Sequence, residues 1–235
     1  MEPELRRKAP PAVLAECAVV ATDLDRTFSR PDLSIDPAAV EAVRELQDAG
    51  VTCILATGRS AADVEAHRLH RLFDAYVLEG GAVWGRWGSL QQADATGVHD
   101  ALRIVRHAGH PVRERKASFG TAPEALDLLN SLPGVAVHPN VDTLDVVPAG
   151  CDKGHALRDV LATLGLPGAK VAAIGDGCND VHLLRAADLR YAVANADPLT
   201  KGFAHEVVGP CSEGFVELAR RRLAARPAVA GVAKA

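Results

Sequence analysis

Two acids and two hydroxyls follow an apolar run with no spacer: Cys17 to Ala21 leads straight into Thr22-Asp23-Leu24-Asp25-Arg26-Thr27. A short buried strand ending there delivers its next residues to a sheet edge, and open α/β sheets bind ligands just beyond the carboxyl ends of their strands. Acids at i and i+2 on an extended backbone point the same way. Two facing carboxylates are unfavourable unless a cation neutralises them or one keeps its proton. The pair therefore asks for a metal, a shared proton, or both.

A second cluster, Gly175-Asp176-Gly177-Cys178-Asn179-Asp180, also follows an apolar run. Asp176 falls at the strand end, and Asp180 in the first turn of the next helix, where its charge suits the helix dipole. By itself such a turn also serves as an ordinary strand-to-helix connection. Joined with Asp23 and Asp25, it puts four acids at one sheet edge and leaves a large charge uncompensated. Mg²⁺ fits, because it takes a few carboxylates and fills its other positions with water and phosphate oxygens. Ala56-Thr57-Gly58-Arg59 offers a hydroxyl and free amides, a small anion cradle, although Arg59 also fits a merely solvated charge. Asp152-Lys153-Gly154 supplies a lysine. A lysine opening a helix is usually at the surface, whereas one beside an acid cluster neutralises it and holds a phosphoryl oxygen.

The elements that must position these groups alternate. Strands are expected at residues 17–22, 51–56, 75–78, 170–174, 189–193 and 206–208, with helices at 37–49, 60–72, 153–164, 178–186, 198–204 and 213–225. The first helix is marked by Asp36 as N-cap, Pro37 at the first position, and Gly50 past its end. Such alternation indicates an α/β fold, a Rossmann-like, mainly parallel sheet covered by helices on both faces. Between 83 and 148 the pattern falters. A Trp/Gly-rich turn at 82–88, a helix at 98–107, one edge strand at 112–119, a helix at 122–129 and strands at 135–138 and 143–147 suggest a small inserted α+β cap. The expected division is a core of 12–82 plus 149–226, a cap of 83–148, and loose ends at 1–11 and 227–235.

Bulk properties narrow the class. The 235 residues are 48% apolar and 24% charged, ordinary for a globular protein, and a net charge of −4 gives no basic field for nucleic acid. No apolar run approaches the roughly 20 residues needed to span a bilayer. The charged, proline-rich start does not read as a secretory signal. Five scattered cysteines without C-x-x-C spacing suggest neither a disulfide framework nor a zinc site, so the cytoplasm is expected.

In this order and at these positions, the four motifs resemble those of the haloacid dehalogenase superfamily of phosphohydrolases. Asp23-Leu24-Asp25-Arg26-Thr27 is similar to its D-x-D-x-T motif, Thr57 to its second-motif hydroxyl, Lys153 to its third-motif base, and Gly175 to Asp180 to its G-D-G-x-N-D motif. An insertion between the second and third motifs resembles the type IIB (Cof-like) branch, with a short cap nearer in size to archaeal phosphoglycolate phosphatases. Relatives often carry glycine at the position of Arg26 and Asn at that of Gly80. The resemblance implies Asp23 as nucleophile, Asp25 as general acid and base, and Mg²⁺ held by Asp23, Asp25 (through its carbonyl), Asp176 and Asp180. Thr57, Gly58, Lys153 and, further out, Arg59 would hold the phosphoryl group, and Asn179 would orient Lys153 or a metal-bound water.

The implied reaction is hydrolysis of a small phosphate monoester, a sugar phosphate or phosphorylated acid, by a monomer or homodimer with no nucleic-acid or membrane partner. In the cap, Arg113 and Arg115 alternate and would pair with a second anionic group on the substrate, although an edge strand protected by its charges explains them equally. A phosphotransferase or phosphomutase of the same superfamily is the nearest alternative. A non-enzymatic phospho-ligand sensor is another, but it predicts loss of Asp25, Lys153 or Asp176, and all are present. A dinucleotide site lacks the third glycine of its fingerprint.

Overall fold

β1 (Val19–Thr22), the strand from which the first acidic turn hangs, is buried along its whole length. The computed structural model describes residues 11–140 and 142–225. β2 (Thr52–Ala56), β3 (Ala75–Leu78), β4 (Val83–Gly85) and β5 (Gln91–Gln92) extend the sheet on one side of β1. β6 (Val112–Glu114), β7 (Phe119–Thr121), β8 (Val135–Asn140) and β9 (Thr143–Pro148) form a second sheet. β10 (Val171–Gly175), β11 (Leu189–Val193) and β12 (Glu206–Val208) complete the first sheet on the other side of β1. The large sheet runs β12-β11-β10-β1-β2-β3-β4-β5, parallel except at β4 and β5. The small one runs β6-β7-β9-β8 and is antiparallel throughout. This is the expected α/β core with a small α+β cap.

Successive strand residues point to opposite faces, so continuous apolar strands demand cover on both. On one face Val20, Leu55, Tyr76 and Ile174 pack with Val43, Leu46, Phe215 and Leu218, from helices Pro37–Asp48 and Cys211–Ala224. On the other, Val19, Ala21, Ile54 and Ala173 meet Leu157, Val160, Leu183 and Leu184, from helices Lys153–Thr163 and Val181–Arg185. Each large side chain so buried contributes about 1.5–3 kcal/mol. Parallel register then sets the site, because Thr22 lies opposite Leu55 of β2 and Ile174 of β10. Three strands therefore end level, and the residues that follow them emerge together.

Several expectations are corrected. Within the segment 82–88 expected as a turn, Val83–Gly85 is a strand and 86–88 turns: β4 pairs antiparallel with β3, placing Trp84 opposite Val77, and β5 adds to it. The chain thus stays in the large sheet past residue 83, where the insertion was expected to begin. Trp87 packs edge-on against Tyr76 at 5.3 Å, an anchor at the sheet edge. The single strand expected at 112–119 is a hairpin, β6 and β7 pairing Val112 with Thr121. The helix expected at 60–72 spans only Ala61–Ala66, opened by a Ser60/Asp63 capping box; beyond it Arg68 turns to φ +58. The loose ends lie outside the described residues, except that Pro11 opens a helix, Pro11–Glu16. Among the described residues no helix is long and apolar enough to cross a membrane.

Candidate active site

The turn after β1 is fixed by its own backbone. The Asp23 amide donates to Ile174 O at 3.0 Å and the Thr22 hydroxyl to Asp23 O at 2.8 Å. Arg26 takes φ +57, a left-handed conformation that favours glycine. Its amide donates to Ser29 Oγ and its carbonyl accepts from Asn195 Nδ2, so the turn forms despite the side chain. The arginine Nε stands 3.5 Å from Asp176 Oδ2 at the mouth of the site.

Lys153, only 2% exposed, joins the first and last motifs: its Nζ donates to Asp23 Oδ1 at 2.7 Å and Asp180 Oδ1 at 2.6 Å. Burial alone would lower its pKa, but Asp180 and Asp23 outweigh that and hold the ammonium above the usual lysine value. Burial and Asp180 push Asp23 well above the ordinary carboxylate range. The same causes push Asp176 to about 7, with Arg26 partly offsetting them. Carboxylate oxygens of Asp23, Asp176 and Asp180 lie within 4.8 Å of one another, hard donors of the type Mg²⁺ prefers. Asp180 is already engaged, however. Its Oδ2 accepts the amides of Asp176 and Gly177, each at 3.0 Å, while its Oδ1 holds Lys153. A Cβ at residue 175 would come within 2.6 Å of the Asp180 side chain, so only glycine lets this carboxylate tuck under the turn.

Thr57 is buried, its hydroxyl accepting the Arg59 amide at 3.1 Å and its own amide tied to Val77 O. Arg59, expected at the periphery, grips Asp25 with a fork: Nε lies 2.9 Å from Oδ2 and Nη2 lies 2.8 Å from Oδ1. Among the described residues no hydrogen bond joins Asn179 to Lys153, which is oriented by the two aspartates instead.

Asp23, Asp25, Thr57, Gly58, Arg59, Asp176 and Asn179 line a cavity of about 560 Å³, with Arg113, Arg115, Thr121, Asn140 and Thr143 facing them from the cap. Lys153 and Asp180 lie beneath its floor and do not line it. The structure thus brings all four motifs and both cap arginines to one place. Arg113 is exposed at the rim, 3.4 Å from Asp63 Oδ1, whereas the Arg115 side chain is mostly covered, 3.0 Å from Asp145 Oδ1. His138 points elsewhere, its Nε2 2.9 Å from Cys151 O.

Two acids escaped the sequence reading. Asp145 is a lone charge in the apolar run Leu144 to Val147, which is itself a signal. Glu79, 2% exposed with φ +51, follows β3 directly and accepts the Ala117 amide at 2.8 Å, the Lys116 amide at 3.3 Å and the Ser118 hydroxyl at 3.1 Å. It ties the turn of the β6–β7 hairpin to the core. An acid at a strand end was a signal here too, but its partners lie far along the chain.

A family model of haloacid dehalogenase-like hydrolases matches residues 20–87 and 127–216. The chain is 31% identical over 213 residues to a phosphoglycolate phosphatase of Halobacterium salinarum, covering 84% of this chain and 93% of that one. It is 29% identical to one of Pyrobaculum aerophilum, covering 86% and 93%. Among solved structures, the Thermoplasma acidophilum protein 0175 superposes with a TM-score of 0.76 at 20% identity, over 87% of this chain and 97% of that one. A subclass IIB sugar phosphatase, BT4131, gives 0.76 at 18% identity, over 88% and 99%. Motifs, fold and these likenesses agree: the chain belongs to the haloacid dehalogenase-like hydrolases and is a phosphatase of that family.

Proposed function

We propose that the protein hydrolyses a small phosphorylated acid of the phosphoglycolate type, with Mg²⁺ and through an aspartyl-phosphate on Asp23. The carrying observation is the Asp23 carboxylate itself, which lines the cavity while Lys153 holds one of its oxygens from below. The named activity of the archaeal relatives and the presence of Arg115 in the cap wall of the cavity support the acidic substrate.

An Asp23 oxygen attacks phosphorus, a P–O bond forms, and the bond to the leaving alcohol breaks. Asp25 gives that alcohol its proton and then takes one from the water that attacks the phospho-aspartate, regenerating Asp23. The Arg59 fork engages both Asp25 oxygens and orients the carboxyl, while Oδ2, which accepts only Nε, keeps a lone pair for the transferred proton. Thr57 and its neighbouring amides receive the phosphoryl oxygens. Asp23, the Asp25 carbonyl and Asp176 would hold Mg²⁺, which when bound offsets the charge of phosphate and carboxylates. Asp180 serves as the support of Lys153 and of the Asp176 turn. Five free cysteines fit a reducing cytoplasm.

The test is phosphate release from 2-phosphoglycolate and a panel of sugar phosphates, with and without Mg²⁺. Hydrolysis that needs the metal and vanishes in Asp23→Asn is expected. Activity that survives that substitution overturns the nucleophile, and phosphate appearing on an added alcohol instead of in water makes the protein a transferase.

A further inference from the structure

We propose that Arg115, positioned by Asp145, reads the substrate's carboxylate, and that the more exposed Arg113 does not. This deepens the phosphatase reading above and rests on it.

The other cavity cations are engaged or remote. Arg59 is fastened to Asp25, Arg26 stands beside Asp176, and the Arg113 side chain is 66% exposed at the rim. Arg115 is 11% exposed and lines the wall. Its Nη1 donates to Asp145 Oδ1 at 3.0 Å, and Asn140 Nδ2 donates to Asp145 Oδ2 at 3.1 Å, so the acid is fixed in turn. Among the described residues the buried Nε has no acceptor. A buried donor left unpaired is costly, so such groups ordinarily find partners. The neighbouring Nη2 lies beside Gly120, which lines the cavity; a Cβ there would stand 3.6 Å away. A guanidinium edge offering two parallel donors matches the two oxygens of a carboxylate.

Asp145 balances the charge of Arg115, and Asp142 on the same wall adds another negative group. What Arg115 offers is therefore directed donors more than net charge, and lysine cannot reproduce that geometry. The phosphoryl end is close: Asp145 Oδ2 would lie 3.3 Å from a Cβ at Gly58, the residue after Thr57. Reader and cradle thus share one neighbour, the Asp145 carboxylate, as suits a small substrate that carries both anionic groups.

The experiment compares 2-phosphoglycolate with 2-hydroxyethyl phosphate, which replaces the carboxylate by a neutral group of similar size. Arg115→Met is expected to lower kcat/KM on the acid by on the order of 10–100-fold, mainly through KM, and to leave the neutral ester essentially unchanged. Arg115→Lys should not restore the acid, Asp145→Asn should raise its KM at unchanged kcat, and Arg113→Met should cost the acid clearly less than Arg115→Met. Equal losses on both esters, an unchanged preference, or a larger loss in Arg113→Met overturns the assignment. Calorimetric binding of 2-phosphoglycolate to Asp23→Asn, with and without Arg115→Met, reads the same contact without turnover. A wild-type protein that releases no phosphate therefore defeats the phosphatase reading alone, while equal binding by these two variants defeats Arg115.

Discussion

Asp180 accepts the Lys153 ammonium at 2.6 Å on one oxygen and two amides of the Asp176 turn on the other. A carboxylate so occupied is a poor direct ligand, whereas Asp176, 8% exposed, opens onto the cavity. Asp176→Asn is expected to raise the Mg²⁺ concentration for half-maximal activity by on the order of tenfold or more. Asp180→Asn should instead lower kcat with a smaller metal shift, because it loosens Lys153. Mg²⁺ titrations of the two variants check this, and equal shifts would return Asp180 to the ligand set.

Glu79 is the clamp between core and cap. Its carboxylate takes two amides and a hydroxyl from the 116–118 turn, and its own amide donates to Arg59 O at 3.0 Å. Removing the acceptor leaves the buried Ala117 N–H and Ser118 hydroxyl unpaired, about 1–3 kcal/mol for each. Glu79→Ala should therefore raise KM and speed hydrogen exchange at residues 115–118 while β1 stays protected. Unchanged exchange in that turn would show the clamp to be unimportant.

The legibility of the chain follows the range of the forces involved. The four motifs and the strands that carry them were readable because their signals are local: apolar runs, an N-cap at Asp36, and glycines at Gly175 and Gly177. Convergence itself rested on parallel register, which strand-helix alternation implies. What failed was non-local. The hairpin at 112–121 turns where Glu79, some 37 residues earlier, supplies the acceptor, and nothing in the segment announces it. The strand at Val83–Gly85 reads as a turn because its glycine and tryptophan conceal its pairing with β3. Arg59 reads as peripheral because its partner, Asp25, lies 34 residues away.

Asp36 gives a pH-dependent prediction that concerns stability. Its side chain accepts the Ala38 amide at 2.9 Å, caps helix Pro37–Asp48, and takes the Ser212 hydroxyl from the neighbouring helix. The Ala38 bond, with Ser212 and Arg30, holds its carboxyl below the usual value against the opposing effect of burial. A folded pKa below the unfolded one gives stability that is present above the unfolded value and lost as pH falls through the folded one. Asp36→Ala should cost about 1 kcal/mol near neutrality, and the gap from wild type should close below about pH 4. Denaturant unfolding of both proteins across that window checks the sign; a gap that widens in acid contradicts it.

Arg26 combines strain with charge, and the two make opposite demands on one substitution. At φ +57 a non-glycine side chain costs roughly 1–2 kcal/mol, and its ion pair with Asp176, with the arginine 43% exposed at 3.5 Å, returns little. Arg26→Gly should therefore be more stable than wild type by about 1 kcal/mol. The arginine also holds positive charge beside the oxygen that would bind Mg²⁺, so its loss should lower the Mg²⁺ concentration needed for activity. Thermal unfolding and a metal titration on the same sample separate these effects. A variant that unfolds earlier and needs more Mg²⁺ would mean that Arg26 instead completes the site, holding Asp176 in place.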